Sequence, residues 1–368
     1  MFNKTTNSRE RLQWIDRTKG LAILAILFFH FFQNYPEQIN IVSMLNRNGA
    51  RLGYAAVDIF FVMAGFNTSY VLASLIQNGE KINWIAWLKK RLFRLYPTYF
   101  LAVLSTICIS ILFNQFHIKN PLNFALSAVG LAGYKFQAIN QGFWFFTVIL
   151  EAYLLTPLIF YVCRNKPNRI LGLGILIGLL TKLACLAVGH KSEFYLFLLQ
   201  NNFIGSYFFQ LCLGLYWGFI YASNKSFRRT DINISTIVFI VALILYIWMA
   251  IKHINIVYML GFDIAFTPFF FVMLSLILNK DNHNRWLNYG LSILSIMGIY
   301  SYQIYLIHQP LYITLLYYLN KRIQIAQYPK LLVCLIITAV VLIAYIRAFV
   351  LIEKVMIRKI TGTAAKQS

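Results

Sequence analysis

The chain has 368 residues, 60% of them hydrophobic and only 12% charged, with a mean hydropathy of +0.65. No soluble domain needs that much apolar surface, and repeated long apolar runs mark a polytopic membrane protein. A formal net charge of +22 would suit nucleic acid, but the Lys and Arg residues cluster between apolar spans instead of lining one soluble face.

The first apolar stretch, Ile15–Phe32, reads IDRTKGLAILAILFFHFF. Its apolar part is short enough for a signal-peptide core, yet no small-residue cleavage site follows before QNYPEQ. It therefore reads as an uncleaved first membrane helix. At 100° per residue, Asp16, Lys19, Ile23, Leu27 and His30 form one stripe, with Lys19 and His30 about 16 Å apart along the axis. An ionisable group in a span is a functional hypothesis by default. The plainer reading of His30 is a ring capping the outer end of the helix at the headgroups.

Further along, runs bounded by charge clusters give ten spans, at roughly 14–33, 54–75, 95–113, 142–162, 170–188, 203–222, 233–251, 256–278, 290–319 and 331–352. The segment 120–135 is apolar but short, and carries Lys119, Pro121, Gly130, Gly133 and Lys135 around it; it reads as a re-entrant or interfacial piece. With this alternation, twenty-two Lys and Arg residues fall on one side and nine on the other, which makes that first side and both termini cytoplasmic. The expected architecture is all-α: a single polytopic membrane helix bundle of about ten transmembrane helices over 14–352, with a cytoplasmic tail at 353–368. The five cysteines are scattered through apolar segments without metal-ligand spacing, so neither a disulfide nor a metal site is expected.

Depth follows from the same topology. His30, Asp58, Lys182, Asp263 and His308 fall in the outer half, Glu151 lies mid-span, and Lys19 and KKRLFRLYP (Lys89–Pro97) sit at the inner edge. Buried charges must be paired or face a polar cavity, so the outer set suggests a chamber and the inner set a site for an anionic ligand. Each has a plainer alternative. Arg91 and Arg94 serve equally as positive-inside anchors, and Asp263 as the structural partner of Lys182. His308 shares a face with Ser301 and Tyr305, ahead of a Pro310 that can bend the helix, and suits a packed core histidine as well as a substrate contact. Glu151, on one face with Trp144 and Thr147, either orients a cavity or bonds between helices.

Five motifs then fall in a familiar order. IDRTKGLAILAILFFH, VDIFFVMAGF (Val57–Phe66), KKRLFRLYPTYFL (Lys89–Leu101), GFWFFTVILEAYLLTPLI (Gly142–Ile159) and SYQIYLIHQPL (Ser301–Leu311) together resemble the acyltransferase-3 family of integral membrane O-acyltransferases. The resemblance covers about Trp14 to Arg347. It implies an acyl-CoA donor, acetyl-CoA or a longer homologue, reached from the cytoplasm, with no permanently bound cofactor. The acceptor would be a hydroxyl of a cell-surface polysaccharide or its lipid-linked precursor. His30 would be catalytic, and Lys19, Arg91 and Arg94 would hold the donor. From their depth and shared faces, and not from the resemblance, Asp58 is expected as a second catalytic group near His30, and Trp144, Glu151, Tyr305 and His308 as substrate contacts. Lys19 replaces the commoner arginine, Ala64 replaces a usual serine, and Glu151 stands two residues beyond the usual glutamate. No SGNH-type hydrolase domain follows. The location expected is the cytoplasmic (inner) membrane. The rival is a transporter or flippase for a lipid-linked sugar, which intramembrane charges fit equally well but which the absence of inverted halves disfavours.

Overall fold

The computed structural model describes residues 12–37, 39–114, 116–188, 192–199, 201–252, 262–279 and 284–364. These form helices α1 (Gln13–Asn34), α2 (Asn40–Gln77), α3 (Trp84–Leu112), α4 (Pro121–Val129), α5 (Trp144–Val162) and α6 (Pro167–Val188). There follow α7 (Glu193–Leu199), α8 (Phe208–Asn224), α9 (Arg229–Ile251), α10 (Phe262–Leu278), α11 (Arg285–Ile299), α12 (Ser301–Arg322) and α13 (Gln327–Ala364). Local sequence sets several of the ends. Asn83 and Asn284 accept hydrogen bonds from Ala86 and Trp286 backbone amides at the starts of α3 and α11. Asn120 and Pro121 open α4, and Gly130, at φ +80°, closes it.

Among the described residues, six helices are long and apolar enough to cross a membrane: α2, α3, α5 with its leading turn, α6, α9 and α13. The pair α11 and α12 would make a seventh span, bent by 80°. The chain is thus a multi-pass membrane protein. α1 and α8 fall outside that count for a physical reason. α1 carries Asp16, Arg17 and Lys19 at one end, and α8 is 17 residues whose first fourteen, Phe208–Tyr221, are all buried in protein. At 17 residues, about 26 Å, α8 is also shorter than the ~30 Å hydrocarbon core. By contrast α9 exposes Ile234, Ile237, Val241 and Ile244, the face of a helix that meets lipid.

Two expectations change in detail. α2 starts at Asn40, not near 54, because its first turns are amphipathic and give no apolar run. The span expected at 290–319 is two helices broken at Tyr300, and α12 continues through Pro310, with Thr314 Oγ1 donating to the Pro310 carbonyl at 2.8 Å. Segment 120–135 holds the nine-residue α4, about 14 Å long and far too short to cross. The eighth expected span begins in residues outside those described, where His253, Lys280 and residues 365–368 also lie; α13 runs to Ala364, well into the tail expected at 353–368.

The core is a slab of α1, α2 and α8. Trp14 is fully buried among Phe66, Tyr221, Phe227 and Phe271. Phe29 meets Gly53 at the other end, so α2 runs antiparallel to α1. Within a bilayer no hydrophobic force holds helices together, and small residues let backbones touch instead. A Cβ on Gly65 would lie 2.2 Å from the Leu211 carbonyl, and one on Gly214 1.9 Å from that of Val62. α1 and α11 meet in the same way at Gly20 and Gly298.

Candidate active site

His30 sits in the last turns of α1, half-buried, with Nδ1 2.7 Å from Gln33 Oε1. An amide oxygen only accepts, so Nδ1–H donates and Nε2 retains its lone pair. His308, on α12, is fully buried; its Nδ1 lies 3.1 Å from the Ile304 carbonyl, which fixes the same tautomer and leaves Nε2 without a hydrogen-bond partner among the described residues. The two rings face each other with centroids 5.2 Å apart. Tyr305 and Tyr312 flank His308 at 5.7 and 5.8 Å. His30 therefore turns into the bundle and not toward lipid. Two imidazoles, each presenting an unprotonated nitrogen in an apolar surround, form a site able to take a proton from a hydroxyl.

The neighbouring residues divide into walls and supports. Phe145, on α5, lies 4.7 Å from Tyr305, and Trp144 stacks on Tyr207 at 5.7 Å. Asn140 donates to the Leu306 carbonyl at 3.4 Å and accepts from the Gly142 amide, tying the loop before α5 to α12. Gln309 is buried with Oε1 unpartnered beside Gly142. Glu151 does not face the histidines: its Oε2 accepts from the Ile204 amide at 2.7 Å and pins the turn Ile204–Tyr207 ahead of α8.

Asp58 belongs to a second cluster. Gln210 Nε2 donates to Asp58 Oδ1 at 3.0 Å and to Asp263 Oδ2 at 2.9 Å, and Thr267 Oγ1 reaches Asp58 Oδ2 at 3.4 Å. Lys182 Nζ pairs with Asp263 Oδ2 at 3.1 Å, so the ion pair anticipated from sequence forms. The antiparallel contacts Phe29–Gly53 and Trp14–Phe66 place Asp58 level with about Ile23, roughly two helical turns from His30. The expectation that Asp58 lies beside His30 does not match this geometry, because α2 carries it to the α8–α10 side.

At the other end of α1, Lys19 lies 3.8 Å from Asp16, and Arg17 donates to the Leu278 carbonyl at 2.7 Å, holding α10. α1 is unbroken between Lys19 and His30, so their axial separation is about 16 Å. Arg91 lies over the rings of Trp87 and Tyr153, at 5.4 and 5.6 Å, while Arg94 is exposed. Nearby, the buried Glu353 accepts from Thr98 and, at 3.0 Å, from Gln303, joining α3, α12 and α13. Gln33, Gln210, Gln309 and Glu353 were not singled out from sequence. The glutamines carry no charge to stand out in an apolar run, and Glu353 reads as part of the basic tail.

The acyltransferase domain model matches residues 12–348. The chain belongs to the acyltransferase-3 family. All nine residues singled out for the site, from Lys19 to His308, fall inside the match. Relatives include a peptidoglycan O-acetyltransferase OatA of Listeria monocytogenes, 23% identical over 49% of this chain and 30% of that protein. A putative peptidoglycan O-acetyltransferase YrhL of Bacillus subtilis is 27% identical over 31% of this chain and 16% of that protein. An O-acetyltransferase OatA of Staphylococcus aureus is 25% identical over 46% and 28%. The chain thus matches less than a third of the length of each of these relatives. No solved structure matches it.

Proposed function

We propose that this acyltransferase-3 protein is a membrane O-acetyltransferase that moves an acetyl group from cytoplasmic acetyl-CoA to a hydroxyl of an envelope polysaccharide or its lipid-linked precursor. The observation that carries the reading is the His30 ring: Nδ1–H held by Gln33, which leaves Nε2 its lone pair, and the ring packed against His308 inside the bundle. The peptidoglycan O-acetyltransferase names of the relatives support a glycan acceptor and an acetyl group.

In this reading the nucleotide end of the donor stays by the basic run of α3, with Arg91 and Arg94, and by Lys19. The thioester reaches along α1, a distance comparable to an extended pantetheine arm. His30 Nε2 removes the proton of the acceptor hydroxyl as its oxygen attacks the thioester carbonyl. The new C–O bond forms, the C–S bond breaks, and the imidazolium returns its proton to the departing thiolate. Gln33 keeps the reactive nitrogen unprotonated, and Tyr305, Phe145 and Trp144 wall the acceptor side against water. The Lys and Arg distribution supports ten spans in the inner membrane with both termini cytoplasmic, α1, α8, α10 and the bent α11–α12 pair completing the six longer helices.

The test is acetyl transfer and CoA release by membranes carrying wild type or His30→Ala. Loss of both by a factor of about 10²–10⁴ is expected. Undiminished acetylation by the variant overturns the proposal, and movement of an unmodified glycan by it would favour a transporter.

A further inference from the structure

Lys89, Lys90, Arg91 and Arg94 crowd the start of α3, and one of them is held differently from the rest. Lys89, Lys90 and Arg94 are exposed, whereas Arg91 is half-buried against α5. Its guanidinium carbon lies 5.4 Å from the centre of the Trp87 ring and 5.6 Å from that of Tyr153. Trp87 stands four residues before Arg91, on the same face of α3. The two rings meet edge-on, 5.7 Å apart at 89°, so the charge occupies the corner between them. The corner is itself braced: Trp84 packs on Trp87 at 5.6 Å and on Phe160 of α5 at 5.2 Å.

The corner leaves the hydrogen-bonding capacity of Arg91 unspent. Among the described residues no carboxylate pairs with it and no acceptor takes its N–H groups. α3 carries no carboxylate, and that of α5, Glu151, is committed to the Ile204 amide. An aromatic ring attracts a cation through its quadrupole and not through a lone pair, so the N–H donors remain for an anion. Arginine is the side chain that gains from this, because its flat fork binds two phosphate oxygens at once and an ammonium does not. Fixing the fork beforehand also removes rotamer entropy that binding would otherwise cost.

We propose that Trp87 and Tyr153 are positioning residues for the donor: they hold Arg91 so that its fork takes a phosphate at the nucleotide end of acyl-CoA, while Lys89, Lys90 and Arg94 add diffuse charge. The inference rests on the acyltransferase reading above and goes beyond it by giving two aromatic residues a part in donor binding. Arg91 and Arg94, alike in sequence, thereby differ in role. Neither ring needs to touch the donor; both act through the guanidinium.

The test measures CoA binding to the full-length protein in lipid nanodiscs by titration calorimetry, with pantetheine, which lacks the nucleotide, as the control ligand. Wild type should bind CoA far more tightly than pantetheine. Arg91→Lys keeps the charge, loses the fork and should weaken CoA binding about tenfold or more. Trp87→Leu and Tyr153→Leu should each weaken it about three- to tenfold. Trp87→Phe and Tyr153→Phe, which keep a ring, should recover most of that loss. A double variant separates positioning from mere loss of structure. In an Arg91→Gln background, Trp87→Leu should weaken binding by less than about twofold more, since the ring has no guanidinium left to act through. Equal CoA affinity for Trp87→Leu and wild type, or an undiminished Trp87→Leu loss in the Arg91→Gln background, refutes the clamp and leaves the acyltransferase reading untouched. If wild type binds CoA no better than pantetheine, the donor reading itself falls.

Discussion

His30 and Gln33 form the smallest unit whose chemistry is testable. The Gln33 amide oxygen selects the tautomer with Nε2 unprotonated and holds the ring toward His308. Gln33→Leu should therefore slow acetyl transfer by about two- to tenfold, the value of one neutral hydrogen bond, with His30→Ala far more damaging. Equal rates for Gln33→Leu and wild type, measured under saturating acetyl-CoA, would show that the bond plays no part. Glu151 gives the opposite forecast. Glu151→Gln keeps an oxygen for the Ile204 amide and should leave stability near wild type. Glu151→Ala strands that amide and should cost about 1–3 kcal/mol, read as a lower midpoint of thermal unfolding in detergent. The residue scale also marks where sequence reading stops. His30 and His308 each stood out as ionisable groups in apolar helices, but nothing local announces that positions 278 apart would meet. Asp58 stood out too, yet its partner is Gln210, an uncharged residue that apolar surroundings do not flag.

At the scale of elements, the helix seams carry the predictions. The Gly65–Gly214 contact leaves no room for a methyl group against the facing carbonyls. Gly214→Ala should cost about 1–3 kcal/mol through forced separation of α2 and α8. Gly172→Ala on α6 meets nothing within 4 Å and should leave the midpoint unchanged or slightly raised. A normal midpoint for Gly214→Ala would mean that α2 and α8 are not in backbone contact. Most spans were legible because lipid demands long apolar runs, as in α9 and α13. The break at Tyr300 was not, since Gly298 suits a helix interior and its close approach to Asp16 is a tertiary fact. Pro310, expected to be able to bend its helix, lies inside α12, which runs on without a break.

The whole molecule is organised by charge placement and by one rigid interior. Twenty-two of the Lys and Arg residues fall on the side assigned to the cytoplasm, which predicts that reporters fused at either end report the same compartment. Fluorescent protein should mature and alkaline phosphatase stay inactive at both termini; opposite results at the two ends would require an odd number of crossings. Composition alone established that the chain crosses a membrane. The arrangement of helices that are short or charged, α1 and α8 above all, could not be read in that way, because their surroundings are protein.

The glycine seam also decides which parts of the molecule can give. Knitted backbone to backbone, α2 and α8 form a keel, with Asp58 and Gln210 each about one turn from the Val62–Gly214 contact. Lys182 rides on α6, which packs on α8 through Gly174 and Gly178, and Asp263 on α10 reaches the keel through Gln210. Whatever parts α2 from α8 therefore also draws Asp58 away from Gln210, so a single seam keeps both the backbones and the buried polar cluster in register.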